Sequence, residues 1–507
     1  AWTGMSQAAH VGEGPRPMMI FNPTAWERRD VVRLTVWDAG EEWQSMAHKR
    51  YVLRLPDGAR VPTQRVSHGR YWGHNYVELE VPVTVPSLGY VVGVVEEVGA
   101  VLPRPSEGYF ERVVGEDVAA METGRLEKTG EWTVENEHVR VRFDPISGGI
   151  VELTDRETGA QLATPDHPMA VLEYAVERPG RMSAWRKYPP RRRVSPLEAG
   201  EVKWTQTGPH RATLSVRGEL AESSFELLYT LKAGSPAVEV EIRVDWQQRG
   251  GPELGTPSLN LLLPLAIDDA RAWYEIPAGS MCRDQHEGEE VPALRWADVV
   301  GTPARDAEAG DRLPAVGCAL LNDSKHGHSL DGGDLRVSLL RSSYEPDPLP
   351  EMGQHVMRLA ICPHGRVLTA SELTRMGAEL NQPLVIVNTD IHEGPLPANG
   401  RPAVTVHPDN VLLTALKKAE DDDALILRLQ EMGGEQTDAT VLLDEQIVGK
   451  PAEAVEVDLL ERPVGEELAA SATDGVTVSL PPKGIASIRV GLHDDSFKTV
   501  ARGPAHE

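Results

Sequence analysis

The chain has 507 residues, 51 Lys plus Arg against 77 Asp plus Glu, and a formal charge of −26 with its acidic residues spread along its length. This balance argues against a phosphate-backbone binder, which needs clustered cations, and fits a soluble globular protein of about two to four domains. Cys282, Cys318 and Cys362 are widely spaced without a Cys-x-x-Cys pair, so neither a zinc ribbon nor a disulfide framework is implied and a cytoplasmic setting is expected. No run approaches the roughly 20 apolar residues of a membrane span, and the start of the chain lacks a basic region followed by a hydrophobic stretch.

In chain order, residues 1–17 are small, Gly-rich and polar and read as a linker or the remnant of a preceding domain. Residues 18–98 read as a small β-domain, with Val77, Leu79, Val81 and Val83 alternating with polar or Pro positions. A linker over 99–129 precedes a large sandwich at 130–387. Its first signal is a hairpin: Val139, Val141 and Phe143 alternate with Arg140 and Arg142, and Gly148-Gly149 supplies the positive φ that a tight reversal demands. Val238, Val240, Ile242, Val244 and Trp246 alternate with charged residues, as in an antiparallel strand with one wet face. The spacing of Leu373, Met376, Gly377 and Leu380 predicts a helix over Ser371–Leu380, ended by Asn381 and Pro383. A linker at 388–402, a C-terminal β-sandwich at 403–491 and a disordered tail at 492–507 complete the chain.

Several motifs follow one another along the chain. ENEHVRVRFDPISGGIVELTDRETG spans Glu135–Gly159, RWADVVG spans Arg295–Gly301, and LLNDSKHGHSL spans Leu320–Leu330. They are followed by a strand ending Leu-Leu-Arg-Ser, a Pro-Asp-Pro loop, GQHVMRLAICPHG to Gly365, AELNQPL at Ala378–Leu384 and TALKKAEDDDALILRLQE at Thr414–Glu431. The run resembles the C-terminal, all-β portion of family 38 glycoside hydrolases, the retaining α-mannosidases, from Phe21 to about Val490. Glu351 ahead of Gly353-Gln354-His355 and Val300 in RWADVVG depart from the family's usual residues. The resemblance implies an all-β fold of several antiparallel sandwich domains, the largest a galactose-mutarotase-like supersandwich. It also implies zinc in the complete enzyme, with the zinc ligands, nucleophile and acid/base on an N-terminal catalytic half that this chain does not contain.

No catalytic or metal-binding residue is therefore expected here. His326, His328, His355 and His364 lack an accompanying ligand spacing and read as structural. Three residues are candidates for substrate binding. Lys417 either reaches toward the mannose pocket, as the family's basic residue does, or pairs with Glu420 or the Asp421–Asp423 turn. Arg341, beside the Pro-Asp-Pro loop, belongs either to a domain interface or pocket rim or to a pair with a nearby acid. Asp347 reads first as a turn former. Among the tryptophans, Trp246 is expected in the core, and Trp72, in RYWGHNY, reads first as a loop anchor and otherwise as the one plausible sugar-stacking platform.

The expected function is to shape the carbohydrate pocket and stabilise the catalytic half of an enzyme that hydrolyses terminal α-D-mannose residues. The expected partners are an α-mannoside and that catalytic domain, in cis or as a separate chain, with a homo-oligomer left open and neither nucleic acid nor membrane. The alternative is a stand-alone carbohydrate-binding or accessory subunit without hydrolase activity.

Overall fold

A computed structural model describes residues 16–38, 49–100, 126–283, 289–304, 315–391, 400–471 and 475–493, together with Met5–Ser6, Met46 and Leu396. The expected tail beyond residue 493, and most of the expected linkers, lie outside the described residues. The fold is all-β, with several antiparallel sheets, and divides into two units. One comprises Thr123–Leu368 and Glu372–Asn381, and the other Ala1–Glu122, Thr369–Ser371 and Gln382–Glu507.

The first of these units is built on a nine-stranded sheet. Its strands lie in the order Glu201–Thr207, Arg211–Leu220, Ser223–Lys232, Val238–Trp246, Gly353–His364, Val316–Asn322, Trp296–Pro303, Ile267–Ile276 and Gly279–Arg283. A six-stranded sheet runs Pro190–Val194, Val171–Glu177, Thr256–Pro264, Asp334–Arg341, Gly327–Asp331 and Val291–Pro292. One core joins them: Leu227, Val240 and Ile242 come from the first sheet, and Leu172, Leu261 and Val337 from the second. The strand Val238–Trp246 shows why, since its five apolar residues are buried and the four charged residues between them are not.

The hairpin signalled at Glu135–Gly159 forms between Val139–Phe143 and Ile150–Asp155. Asp144 caps it by accepting Ser147 N at 2.7 Å and Ser147 Oγ at 2.6 Å. Gly148 takes φ 71°. Gly149 has a different reason to be glycine: a Cβ there would lie 2.6 Å from Val171 Cγ1. The helix forms over Ala370–Asn381. Its Thr374 hydroxyl accepts Trp296 Nε1 at 3.1 Å, and Asn381 Nδ2 donates back to Gly377 O at 2.8 Å.

In the other unit a five-stranded sheet runs Val385–Asn388, Arg16–Phe21, Tyr90–Ala100, Lys49–Arg54 and Arg60–Pro62, and a three-stranded sheet runs Arg28–Trp37, His74–Val85 and Gln64–Tyr71. Two observations differ from the boundaries read from sequence. Arg16 and Pro17 already pair with Val95 and Val94, and Val385–Asn388 pairs with Arg16–Phe21 rather than with the large sandwich. A four-residue strand such as Val385–Asn388 can extend any sheet edge, so only the long-range register assigns it. The C-terminal part carries a four-stranded and a five-stranded sheet, the latter including Val411–Lys418, around Val404, Leu427, Val441 and Ile488.

Candidate functional site

The six-stranded sheet turns an unusual face away from the core. Leu259, Leu261 and Leu263 point inward, so the alternate positions Ser258 and Asn260 point outward. Register then sets Glu173, Asn260 and Ser338 in one row across three strands. Glu173 is only 2% exposed, and burying a carboxylate is costly unless donors meet it. They do: Arg193 Nη1 lies at 2.9 Å, Asn260 Nδ2 at 3.2 Å and Arg336 Nε at 3.3 Å. At the more exposed rim Ser338 donates to Glu290 and accepts from Lys187 at 3.2 Å, while Lys187 also pairs with Glu290. Burial works to raise the Glu290 pKa, but Lys187 and the Ser338 hydroxyl prevail and hold it below the usual carboxylate range.

Arg341 pins the loop 178–189 beside this row. Its Nε and Nη2 meet Glu177 Oε1 and Oε2 at 2.6 and 2.8 Å, and its Nη1 and Nη2 donate to the carbonyls of Ser183 and Arg186 at 2.6 and 2.7 Å. From the other side Ser183 Oγ accepts Tyr344 N and Glu345 N at 2.9 and 3.0 Å, and Glu345 Oε2 accepts Met182 N at 2.9 Å. Gly180 lies so close under the Tyr188 ring that a Cβ would come within 2.1 Å of it. The backbone is thus held at many points, yet Trp185 stays 67% exposed.

The candidates read from sequence are not gathered in one place. Arg341 is part of this array through the acid pair. Asp347 is exposed and its Oδ1 accepts Leu349 N at 3.0 Å, a turn contact. Lys417 lies in the other unit, where it pairs with Glu420 and, at 2.8 Å, with Glu461; those hydrogen bonds raise its pKa. Trp246 and Trp296 are buried, while Trp72 is 87% exposed at a hairpin tip. Glu173, Asn260, Arg336, Ser338 and Glu290 escaped the sequence reading. For Glu173 and Asn260 the signal was a polar residue set into an apolar run, in VLEYAVE and SLNLLLP.

An open groove of about 760 Å³ lies on the outer face of the nine-stranded sheet, lined by Arg217, Glu226, Arg243, Asp245 and His355 among others. Its charges neutralise each other across the strands, with Glu226 paired to Arg217 at 2.7 Å and Arg243 at 3.2 Å. Arg217 and Arg243 are more than half exposed, so this is a solvated, ion-paired sheet surface.

Among the described residues no group of three or more His, Cys, Asp or Glu side chains is placed to hold a metal ion. The histidines are dispersed. His326 Nδ1 lies 3.1 Å from the Ala293 carbonyl, His355 Nε2 lies 2.6 Å from the Glu351 carbonyl, and His364 pairs with Asp298. These histidines do not fit a zinc site. No helix among the described residues is long and apolar enough to cross a membrane, which says nothing of strands.

Sheet architecture defines a multi-sheet, antiparallel β-protein that carries a buried polar array on one sheet face. Two family models match: "Glycosyl hydrolases family 38 C-terminal domain" over residues 134–349 and "Glycosyl hydrolases family 38 C-terminal beta sandwich domain" over residues 410–488. The chain belongs to glycosyl hydrolase family 38, as a C-terminal portion. It is 31% identical over 243 residues to Alpha-mannosidase 2C1 of Homo sapiens, covering 46% of this chain and 21% of that protein. Alpha-mannosidase 2C1 of Mus musculus matches at 26% over 407 residues, 75% of this chain and 34% of that one. The chain thus spans about a fifth to a third of these relatives. A crystal structure of an alpha-mannosidase from Enterococcus faecalis V583 superposes with a TM-score of 0.69 at 14% identity, over 97% of this chain and 57% of that one, which shows the shared fold.

Proposed function

We propose that this chain forms the β-domains of a retaining α-mannosidase that removes terminal non-reducing α-D-mannose residues. The observation that carries this reading is the succession of two family 38 C-terminal domains along one chain, together with relatives that are named alpha-mannosidases. In this reading the β-domains form a wall of the carbohydrate pocket and stabilise a catalytic half, in cis or as a separate chain. Zinc enters only through the family, with its ligands, the nucleophile and the acid/base on residues outside these 507. The 507-residue chain alone is then inactive. Lys417, Arg341 and Asp347 remain its substrate-binding candidates, Arg341 acting by positioning the 178–189 loop. The three free cysteines, two of them buried, support a cytoplasmic setting.

The test is release of p-nitrophenol from p-nitrophenyl α-D-mannoside with added zinc, by the chain alone and after mixing with the N-terminal half of a homologue. Silence alone and turnover on mixing is the expected result. Zinc-dependent turnover by the chain alone overturns the reading, and silence in both arms favours an accessory subunit.

A further inference from the structure

Between Arg178 and Arg193 stand seven cations, Arg178, Arg181, Arg186, Lys187, Arg191, Arg192 and Arg193, and no Asp or Glu, in a chain of net charge −26. The absence of clustered cations read from overall composition does not hold here. Three of the seven are engaged: Lys187 with Glu290, Arg193 with Glu173, and Arg191 with the Leu254 carbonyl at 2.5 Å. Among the described residues, the exposed side chains of Arg178, Arg181, Arg186 and Arg192 make no ion pair or hydrogen bond. Nearby carboxylates are already committed, Glu177 to Arg341 and Glu345 to Met182 N. Exposed Trp185 and Met182 lie between these arginines along the chain, on a backbone pinned by Arg341 and Ser183.

We infer that the 178–193 segment is a binding surface for an anionic carbohydrate, a sugar bearing a phosphate or sulfate ester. Guanidinium groups without protein partners match the ester oxygens, to which Arg donates in charge-assisted, two-pronged hydrogen bonds. The flat indole of Trp185 offers the apolar face that a pyranose ring covers. Ser338, Lys187 and Glu290, which bond one another at the adjoining rim, are the donor and acceptor types that sugar hydroxyls pair with. Because the loop is braced before any ligand arrives, little ordering entropy is lost on binding. Nucleic acid, which also suits Arg and Trp, is disfavoured by the net charge of the whole chain. The sugar part of the inference rests on the mannosidase reading.

The test titrates the 507-residue chain with mannose 6-phosphate, a phosphorylated oligomannoside, mannose and inorganic phosphate, following tryptophan fluorescence and calorimetric heat. The sugar phosphates are expected to bind about tenfold tighter than mannose or phosphate, and more weakly as salt rises. Arg181→Ala/Arg186→Ala should weaken them about tenfold, and Trp185→Phe should abolish the fluorescence change. These residues are on the surface, so the variants should keep the parent's unfolding midpoint. Tighter binding of the oligosaccharide than of mannose 6-phosphate assigns the surface to glycan ends, and equal binding assigns it to the free sugar phosphate. Phosphate binding as tightly as the sugar phosphate, mannose doing so, or an unaffected double Arg variant overturns the inference. Binding is read without turnover, so its failure leaves the mannosidase mixing experiment standing, and the reverse also holds.

Discussion

Arg341 grips Glu177 through two parallel hydrogen bonds, Nε to Oε1 at 2.6 Å and Nη2 to Oε2 at 2.8 Å, while its remaining donors hold the carbonyls of Ser183 and Arg186. One guanidinium therefore neutralises a carboxylate that is 1% exposed and fastens the loop carrying Trp185. A lysine could supply the charge but not the forked geometry.

Replacing Arg341 by Ala should destabilise the unit by about 3–5 kcal/mol, because Glu177 is left buried without its partner. Arg341→Lys should cost less, yet should raise protease sensitivity within 178–189. Denaturant titration and limited proteolysis check this, and an Arg341→Ala variant within about 1 kcal/mol of the parent would contradict it.

His364 links folding to pH. Its Nδ1 lies 2.5 Å from the Arg366 carbonyl, an acceptor, and its Nε2 lies 2.8 Å from Asp298 Oδ1, so both nitrogens are placed to donate and the imidazolium is favoured. Burial opposes that charge, but Asp298 and the carbonyl prevail and raise the pKa above its ordinary value. A raised folded-state pKa means the stabilisation is fully present below the unfolded value of about 6.5 and is lost as pH climbs through the folded value. Denaturation free energies measured from pH 5.5 to pH 9 should fall across that window in the parent, flattening in His364→Gln. Parallel curves would sink the assignment.

Glu431 organises a turn in the C-terminal part. Its carboxylate accepts Gly433 N at 2.5 Å, Gly434 N at 2.7 Å, Lys483 N at 2.8 Å and Asn410 Nδ2 at 2.9 Å. Burial pushes its pKa up, but these donors outweigh burial and depress it. The contribution is therefore present above the unfolded carboxylate pKa and fades as pH falls through the depressed value. Glu431→Gln should cost about 2–3 kcal/mol at pH 7, since an amide cannot accept from all these donors. The difference should shrink toward pH 3, and a pH-independent difference would contradict it.

The sequence determined the architecture class through local rules. The alternation in Val238–Trp246 dictates a one-sided strand, the spacing of Leu373 and Leu380 a helix, and the ordered motifs from Glu135 to Glu431 the family. Each signal is complete within a few residues, because side-chain direction follows backbone periodicity. The polar array was not legible in that way. Glu173, Asn260 and Ser338 are separated by 87 and 78 residues, and they meet only because antiparallel register aligns three strands. The same holds for Arg341, whose acid partner Glu177 lies 164 residues away along the chain. Val385–Asn388 likewise joins the sheet of Arg16–Phe21 by pairing alone. Local conformation is settled by steric and hydrophobic patterning along the chain, whereas partner choice among buried polar groups is settled by long-range register, which the tertiary structure alone supplies.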